Sequence, residues 1–232
     1  MSRLTEPDLP IASREGLPFL VEHWYLGSRT RRYMMVRRFR EVLEHADLRP
    51  GLRVLDLGCG WAYGTHWART AGCQVAGIDL GWDQLLWAQK SIAPGLNLMQ
   101  ANAKALPFPD ASFDFLTMGY ALRHVMELDA TFAQYHRVLR PGGRVLILEV
   151  TKPSGAIGRF FFRLYFGRIY PALTQLFTRS RAAKDMMSYY WETMDACVPP
   201  ENVLASMRAA GFAEVKRKQI FGLFSEYSAV KT

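Results

Sequence analysis

Cysteine is scarce in this sequence and shows no recognisable spacing. The chain has 232 residues but only Cys59, Cys73 and Cys197, scattered and without a CxxC pair. An odd cysteine count with no framework argues against a small disulfide-stapled fold and is typical of a reducing compartment. We therefore expect a cytoplasmic protein without disulfides and without a cysteine metal site.

Long apolar runs are also missing, since no stretch of about 18 apolar residues is free of charge. The nearest approach is RFFFRLYFGRIYPALTQLF at residues 159–177, which Arg163 and Arg168 interrupt. We expect it not to span a membrane. Residues 1–18 are polar and rich in proline rather than charged and then apolar, so we expect a loose arm and no signal peptide.

Acidic residues are outnumbered by basic ones, which gives a formal net charge of +8. The excess is concentrated in two segments, residues 29–40 and 159–184. Their basic residues are Arg29, Arg31, Arg32, Arg37, Arg38 and Arg40, and then Arg159, Arg163, Arg168, Arg179, Arg181 and Lys184. Such clusters favour an anionic partner: nucleic acid, an anionic membrane surface or an acidic substrate. Two solvated helix faces would look the same, so charge alone does not decide.

Short apolar segments alternate with helical ones after a predicted helix at residues 29–46. The predicted strands are 53–57, 74–79, 96–100, 113–118 and 144–150, with helices to about 71 and at 82–91 and 127–139. A helix near 201–210 and two strands at 213–219 and 224–230, spaced for a hairpin, follow. The pattern predicts an α/β fold: a doubly wound, Rossmann-like, mostly parallel seven-stranded sheet with a C-terminal antiparallel hairpin.

The alternation stops for almost fifty residues after Val150. Because ligands bind outside the carboxyl ends of the strands in such sheets, an insertion there is well placed to be a helical lid. Gly167 and Pro171 predict that residues 159–177 form two short helical pieces. We divide the chain into an arm and cover helix at 1–50, a core at 51–150, the lid at 151–198 and the completion of the core at 199–232.

A glycine-rich turn, VLDLGCGWAYG at residues 54–64, follows the first strand. Gly58 and Gly60 allow close approach of a ligand to the backbone. Asp56 at the strand end would oppose a pyrophosphate but suits a cation, which disfavours a nicotinamide dinucleotide. Asp79, at the end of the second strand, is placed to bind both hydroxyls of a ribose.

These motifs, with NAKALPFPDASFD at 102–114 and LRPGGRVLI at 139–147, resemble class I S-adenosylmethionine-dependent methyltransferases over roughly residues 40–150. The resemblance implies S-adenosyl-L-methionine as cofactor, S-adenosyl-L-homocysteine as product and no metal. It also implies a set of cofactor-binding residues. They are Asp56, Gly58, Cys59, Gly60, Trp61, Asp79, Leu80, Asn102, Ala103 and Gly119. Asn102 suits adenine because its amide has both a donor and an acceptor.

GYALRHV at 119–125 and LEVTKP at 148–153 narrow the resemblance to the ubiquinone/menaquinone C-methyltransferase family. That family methylates a ring carbon of a prenylated hydroquinone or phenol at a membrane surface. Arg123 matches the arginine of its LR motif and is assigned phenolate stabilisation, while His124 stands where the family usually has asparagine and could accept a proton. Candidate substrate and lid residues are Tyr25, Tyr33, Phe162, Tyr165, Phe166 and Tyr170.

Several functions stay open at this point. The first is C-methylation of a lipophilic quinol or phenol, with peripheral contact to an anionic inner-membrane surface. The alternative is O- or C-methylation of a soluble aromatic natural product. A nucleic-acid partner is not expected, because the basic segments belong to no recognised reading module. A homodimer is left open.

Overall fold

The computed structural model describes residues 47–92, 94–220 and 222–232. The predicted arm, the helix at 29–46 and the candidates Tyr25 and Tyr33 lie outside these residues. Seven strands form one sheet in the order β3-β2-β1-β4-β5-β7-β6. They are β1 Arg53–Leu57, β2 Gln74–Asp79, β3 Asn97–Gln100, β4 Phe113–Gly119, β5 Leu139–Val150, β6 Phe212–Ile220 and β7 Phe224–Lys231.

Helices cover the sheet between these strands. They are α1 Tyr63–Thr70, α2 Trp82–Ser91, α3 Leu128–Val138, α4 Ala156–Leu164, α5 Tyr170–Thr178, α6 Arg181–Asp195 and α7 Pro200–Ala209. A 3-10 turn, Leu122–His124, follows β4, and a π-turn, Tyr165–Ile169, joins α4 to α5. Among the described helices, none combines the length and the apolar character needed to cross a membrane.

The first five strands are parallel, and β7 is antiparallel to both β5 and β6. The predicted fold, including the C-terminal hairpin, is therefore confirmed. The central strand β1 is buried from Val54 to Leu57 because helices cover both faces of the parallel sheet, which explains its unbroken run of apolar side chains around one aspartate.

The strand order fixes where a ligand crevice can open. From β1 the chain moves outward to β2 and β3 and then returns to place β4 on the other side of β1. At this reversal, the loops that follow β1 and β4 leave the sheet in opposite directions and separate at its carboxyl edge. The glycine turn after β1 and the Arg123 segment after β4 therefore lie side by side.

The lid contains two short α-helices, as predicted, but no break separates them. Helix α4, the π-turn and α5 follow one another without interruption from residue 156 to 178. Gly167 lies inside the π-turn, where a side chain would meet Trp191 at 3.1 Å. Pro171 is the second residue of α5, and a missing N–H is tolerated in a first turn. Both residues thus mark a change of helical winding instead of a break.

The start of the fifth strand also differs from the prediction. We expected Arg140-Pro141-Gly142-Gly143 to be a turn between the helix at 127–139 and a strand at 144–150, whereas β5 begins at Leu139. Leu139 already pairs with Phe113 of β4, and the register shifts before Arg144 pairs with Phe115. The turn residues are therefore absorbed as an irregularity within a longer strand.

Candidate active site

The glycine turn has a backbone that few other residues could adopt. Gly58 and Gly60 have φ angles of +62° and +53°. A Cβ on Gly58 would lie 2.6 Å from the Cβ of Ala121, so the turn passes directly against the segment that follows β4. A Cβ on Gly60 would meet only Gln84 Oε1, at 3.8 Å. The turn is thus closed on the Gly58 side and open above Gly60, where a ligand could approach.

Two aspartates stabilise this turn in different ways. Asp56 is buried beneath it and accepts a hydrogen bond from Thr65 Oγ1 of α1 at 2.9 Å. Asp79 accepts from the amide of Gly60 through Oδ2 and from the amide of Gly81 through Oδ1, each at 2.8 Å. Each Asp79 oxygen keeps a lone pair for further donors. Asp56 therefore supports the turn from below, and Asp79 is the carboxylate that a ribose could reach.

The segment after β3 is held by an arginine that the sequence did not single out. Asn102 is exposed, and its Oδ1 accepts from the amide of Lys104 at 3.0 Å, which leaves the amide NH2 free to donate. Arg137 of α3 donates to the carbonyls of Leu106 and Phe108 at 2.9 and 2.8 Å. Arg137 thus fixes the path of the loop on which Asn102 lies.

After β4 the chain turns sharply at Tyr120, whose φ of +60° is unusual for a residue with a side chain. The Tyr120 carbonyl accepts from Arg123 Nη1. The same guanidinium lies 3.3 Å from Oε1 of Glu149, and the Arg123 amide donates to Oε2 at 3.0 Å. The amide of Val150 donates to Oε1 at 2.9 Å. A turn from β4 and the end of β5 thus hold one guanidinium from two sides.

This ion pair is almost completely withdrawn from water. The Glu149 side chain is 0% exposed and that of Arg123 12% exposed. Burial raises the pKa of Glu149, and Arg123 acts in the opposite direction. Nearby Cys197 has a pKa raised to about 12, first by burial and then by the charge of Glu149. Arg123 Nε is buried and has no hydrogen-bond partner among the described residues. Within the described residues, this donor of the guanidinium is therefore left unsatisfied.

Helix α6 of the lid covers the 3-10 turn with two tyrosines. The guanidinium carbon of Arg123 lies 5.9 Å from the centroid of the Tyr190 ring, a cation–π distance. The His124 ring stacks on Tyr189 with centroids 6.3 Å apart and planes at 15°. Partial burial and then the charge of Arg123 lower the pKa of His124, while Asp79 raises it. His124 is therefore favoured as the neutral imidazole.

Other predicted cofactor residues border the same crevice, with different exposure. The Cys59 amide donates to Ile78, which ties the turn to β2, and Trp61 packs edge-on against Trp87 at 4.9 Å. Leu80 is exposed and Ala103 packs on the core. Gly119 ends β4.

The predicted lid residues divide between two sides. Phe162 is buried and contacts Phe166, with centroids 4.7 Å apart, and Trp191. Tyr170 is half-buried, whereas Tyr165 is largely exposed on the outer side. Sequence reasoning missed Glu149, Arg137, Tyr189 and Tyr190. Only Glu149 carried a usable signal, as an acid inside an apolar strand.

The crevice has the open space and the hydrogen-bonding groups that S-adenosylmethionine requires. Open space above Gly60 suits the methionine portion, Asp79 has acceptor capacity for ribose hydroxyls, and Asn102 has a free amide donor for adenine. The buried Arg123 Nε faces no protein acceptor in the described part of the chain. The residues that are present therefore fit the group.

Solved structures with this fold include methyltransferases. An S-adenosylmethionine-dependent methyltransferase from Aquifex aeolicus superposes with a TM-score of 0.62 at 16% identity, over 94% of this chain and all (100%) of its own. The phosphoethanolamine N-methyltransferase 2 of Haemonchus contortus in complex with S-adenosyl-L-methionine gives a TM-score of 0.61 at 17% identity, over 84% of this chain and 52% of its own. Together with the sequence match described next, fold and site define a class I S-adenosylmethionine-dependent methyltransferase.

Sequence comparison identifies the family. Residues 33–231 match the ubiE/COQ5 methyltransferase family. The Ubiquinone/menaquinone biosynthesis C-methyltransferase UbiE of Shewanella halifaxensis is 36% identical over 191 residues, covering 79% of this chain and 74% of the relative. This chain belongs to the ubiE/COQ5 methyltransferase family.

Proposed function

We propose that this enzyme methylates a ring carbon of a lipophilic hydroquinone or phenol in quinone biosynthesis. The similarity to ubiquinone/menaquinone biosynthesis C-methyltransferases supports this acceptor class. The observation that carries the chemistry is Arg123, a buried guanidinium with an unpaired Nε, two residues after Ala121, which lies against Gly58 of the glycine turn. An aromatic acceptor bound next to Arg123 beneath the lid would have its hydroxyl near a fixed positive charge.

The acceptor, more than the cofactor, needs help from the protein. When bound, S-adenosylmethionine supplies a methyl group that is already activated on a sulfonium, so its transfer depends chiefly on alignment. A ring carbon becomes a good nucleophile only when the neighbouring hydroxyl loses its proton. Arg123 stabilises that phenolate, because a positioned cation in a water-poor site acts on developing charge without having to reorganise.

Glu149 acts on the acceptor only through Arg123. Its two oxygens take the Arg123 amide and one guanidinium nitrogen, so the side chain keeps one orientation. The carboxylate also offsets part of the guanidinium charge, which leaves orientation as its main contribution. We assign Glu149 as a positioning residue for Arg123.

His124 is the group in reach that can take up a proton. Its pKa is lowered, so the imidazole is neutral near pH 7 and can accept. In this proposal the hydroxyl proton passes to His124, directly or through water. After methylation the ring carbon loses its proton to water as the ring regains aromaticity. The phenolate oxygen then takes back the proton held by His124, which restores the phenol and the neutral imidazole.

Two measurements test the proposal. Added S-adenosylhomocysteine should raise the melting temperature and NAD should not, because only a ligand of the folded state stabilises it. Methyl-labelled cofactor should then transfer label to the carbon of demethylated prenyl quinols. Label found only in polar phenols would contradict the lipophilic acceptor and favour a soluble aromatic natural product. An unchanged melting temperature at millimolar S-adenosylhomocysteine would contradict the cofactor assignment.

The acceptor class also bears on location. A prenyl quinol resides in the bilayer, so we propose that the enzyme works in the cytoplasm with peripheral contact to the membrane. The basic excess of residues 159–184 supports an anionic surface.

A further inference from the structure

The outer side of the lid carries a continuous row of exposed apolar residues. They occur at every fourth position through α4, the π-turn and α5 and we call them the outer stripe: Ile157, Phe161, Tyr165, Ile169, Leu173 and Phe177. Two further exposed apolar residues, Phe160 and Leu176, flank it. Apolar residues grouped in this way differ from the single exposed ones found on any protein surface.

The π-turn reduces the angle through which this row winds around the helix. In an α-helix of 3.6 residues per turn, residues four apart drift by about 40° at each step, so five steps would wind the row about 200° around a regular helix. A π-turn holds more than four residues per turn, so four residues there fall short of a full turn. The step from Tyr165 to Ile169 spans the π-turn, so the angular shift at this step is opposite to the shift at the other steps.

The inner side of the same helices is already occupied. Phe162 packs on Phe166 and Trp191, and Pro171 and Thr174 are buried. Tyr165 of the outer stripe also contacts this side, with its ring centroid 4.9 Å from that of Phe166 and 5.8 Å from that of Tyr170. Phe161 is 61% exposed although its neighbour Phe162 is 6% exposed.

The charge around the stripe has one sign. From residue 151 to 184 the chain has seven basic residues and no acidic one. Among them, Arg159, Arg163, Arg168 and Arg181 are exposed. An apolar row beside a basic surface is the arrangement of helices that lie in the headgroup region of anionic membranes.

We infer that the outer stripe is a membrane-docking surface that inserts into the interface of an anionic bilayer, with the lid arginines on the headgroups. The inference rests on the proposed function, because a prenylated acceptor would be met there. Helix α5 packs against α6, which bears Tyr189 and Tyr190 over the candidate site. Docking would therefore place the mouth of the site at the membrane surface.

The test is co-sedimentation of the full chain with vesicles of phosphatidylcholine, with or without phosphatidylglycerol. Wild type should bind the anionic vesicles, and the triple variant Ile157→Ser, Phe161→Ser, Phe177→Ser should lower the partition coefficient at least about tenfold. The matched control is Met126→Ser, which removes a residue 83% exposed outside the lid and should bind as wild type. Thermal melting of each variant verifies folding.

The headgroup contribution is tested separately. Arg159→Glu with Arg168→Glu should reduce binding to anionic vesicles more than Lys90→Glu with Arg208→Glu, although both pairs change the net charge equally. About 1 M salt, where the Debye length falls to about 3 Å, should weaken binding of wild type and bring it close to the lid pair. Equal effects of the two pairs would overturn the headgroup assignment.

Three other outcomes would overturn the inference. They are no binding of wild type to either vesicle, unchanged binding of the triple variant, and a triple variant that shifts a dimer to monomer while vesicle binding persists. The last would assign the stripe to a second copy of the chain. Methyl transfer to a detergent-solubilised quinol separates this inference from the proposed function. The triple variant should retain that transfer, and its absence in wild type would instead count against the acceptor class.

Discussion

Replacing Arg123 and replacing Glu149 in their ion pair should lower the stability of the protein by unequal amounts. Their closest charged atoms are 3.3 Å apart, which at an effective dielectric constant of about 20 corresponds to an attraction of about 5 kcal/mol before desolvation. The raised pKa of Glu149 shows that burial outweighs this attraction at the carboxylate. The net contribution of the pair to stability is therefore well below the attraction alone.

Replacing each partner with glutamine should separate these effects. Arg123→Gln leaves a wholly buried carboxylate without its cation and should lower the free energy of unfolding by about 3–5 kcal/mol. Glu149→Gln leaves the Arg123 guanidinium without its anion and loses one acceptor for the amides of Arg123 and Val150. Because Arg123 is 12% exposed and Glu149 0%, the expected cost is smaller, about 1–3 kcal/mol. The double variant should be little worse than Arg123→Gln alone, because the stranded charge is gone.

The difference in stability between the two variants should depend on pH. A carboxyl group with a folded pKa above its unfolded value stabilises the protein fully below the unfolded pKa, and that contribution is lost as pH rises through the folded pKa. Without Arg123 the pKa of Glu149 should rise further. Lowering the pH from 7 toward 5 should therefore narrow the gap between Arg123→Gln and Glu149→Gln.

Urea denaturation at each pH measures these free energies, with the slope checked for two-state behaviour. Arg140→Gln is the control: it removes a partly exposed pair with Asp114, far from the site, and should cost about 0.2–1 kcal/mol at both pH values. Equal costs for the Arg123 and Glu149 variants, or a gap that does not change with pH, would refute this account. Turnover should fall in both variants while affinity for S-adenosylhomocysteine stays nearly unchanged.

Three further predictions concern single positions. His124→Asn should lower kcat about 100-fold and remove the acidic limb of the pH profile, which in wild type should lie below the ordinary pKa of 6.5; an unchanged limb would place proton transfer elsewhere. Gly58→Ala should destabilise more than Gly60→Ala in urea unfolding, because both incur the left-handed strain of about 1–2 kcal/mol but only Gly58 also clashes with a neighbour; equal costs would contradict the closed turn. Cys197, with a pKa raised to about 12 from 9.0, should have about 10³-fold less thiolate than an ordinary cysteine and resist alkylation at pH 8 until urea is added; rapid labelling of the native protein would show that its thiol is not shielded.

The sheet and the glycine turn could be predicted because their signals are local. Alternating strands and helices imply a parallel sheet. The carboxyl ends of its strands meet at one edge, so Gly58, Gly60 and the acid at the end of the next strand must lie close together there. Strand bounds were off by one or two residues in places, as at Gly119, and by five residues at the start of β5. Such errors did not move the site, because it depends on where strands end together and not on a single residue.

The partner of Arg123 could not be predicted, because it depends on register between strands. Glu149 is 26 residues away, and the two meet only because β4 and β5 pair side by side with Gly119 opposite Leu148. An acid in the apolar run of β5 was a visible anomaly that pointed to a buried partner. Nothing in the sequence indicated which residue that partner would be.

The lid shows why a stretch of aromatic residues resists interpretation from sequence. Phe161 and Phe162 are chemically identical and adjacent, yet one faces outward and the other packs on Trp191. A helical wheel assumes constant winding, and the π-turn violates that assumption between Tyr165 and Ile169. Winding itself is set by packing, since Gly167 lets Trp191 approach the backbone. The inner contact therefore determines which aromatic residues are left on the outer side, and a bulky residue at position 167 should disturb both sides of the lid together.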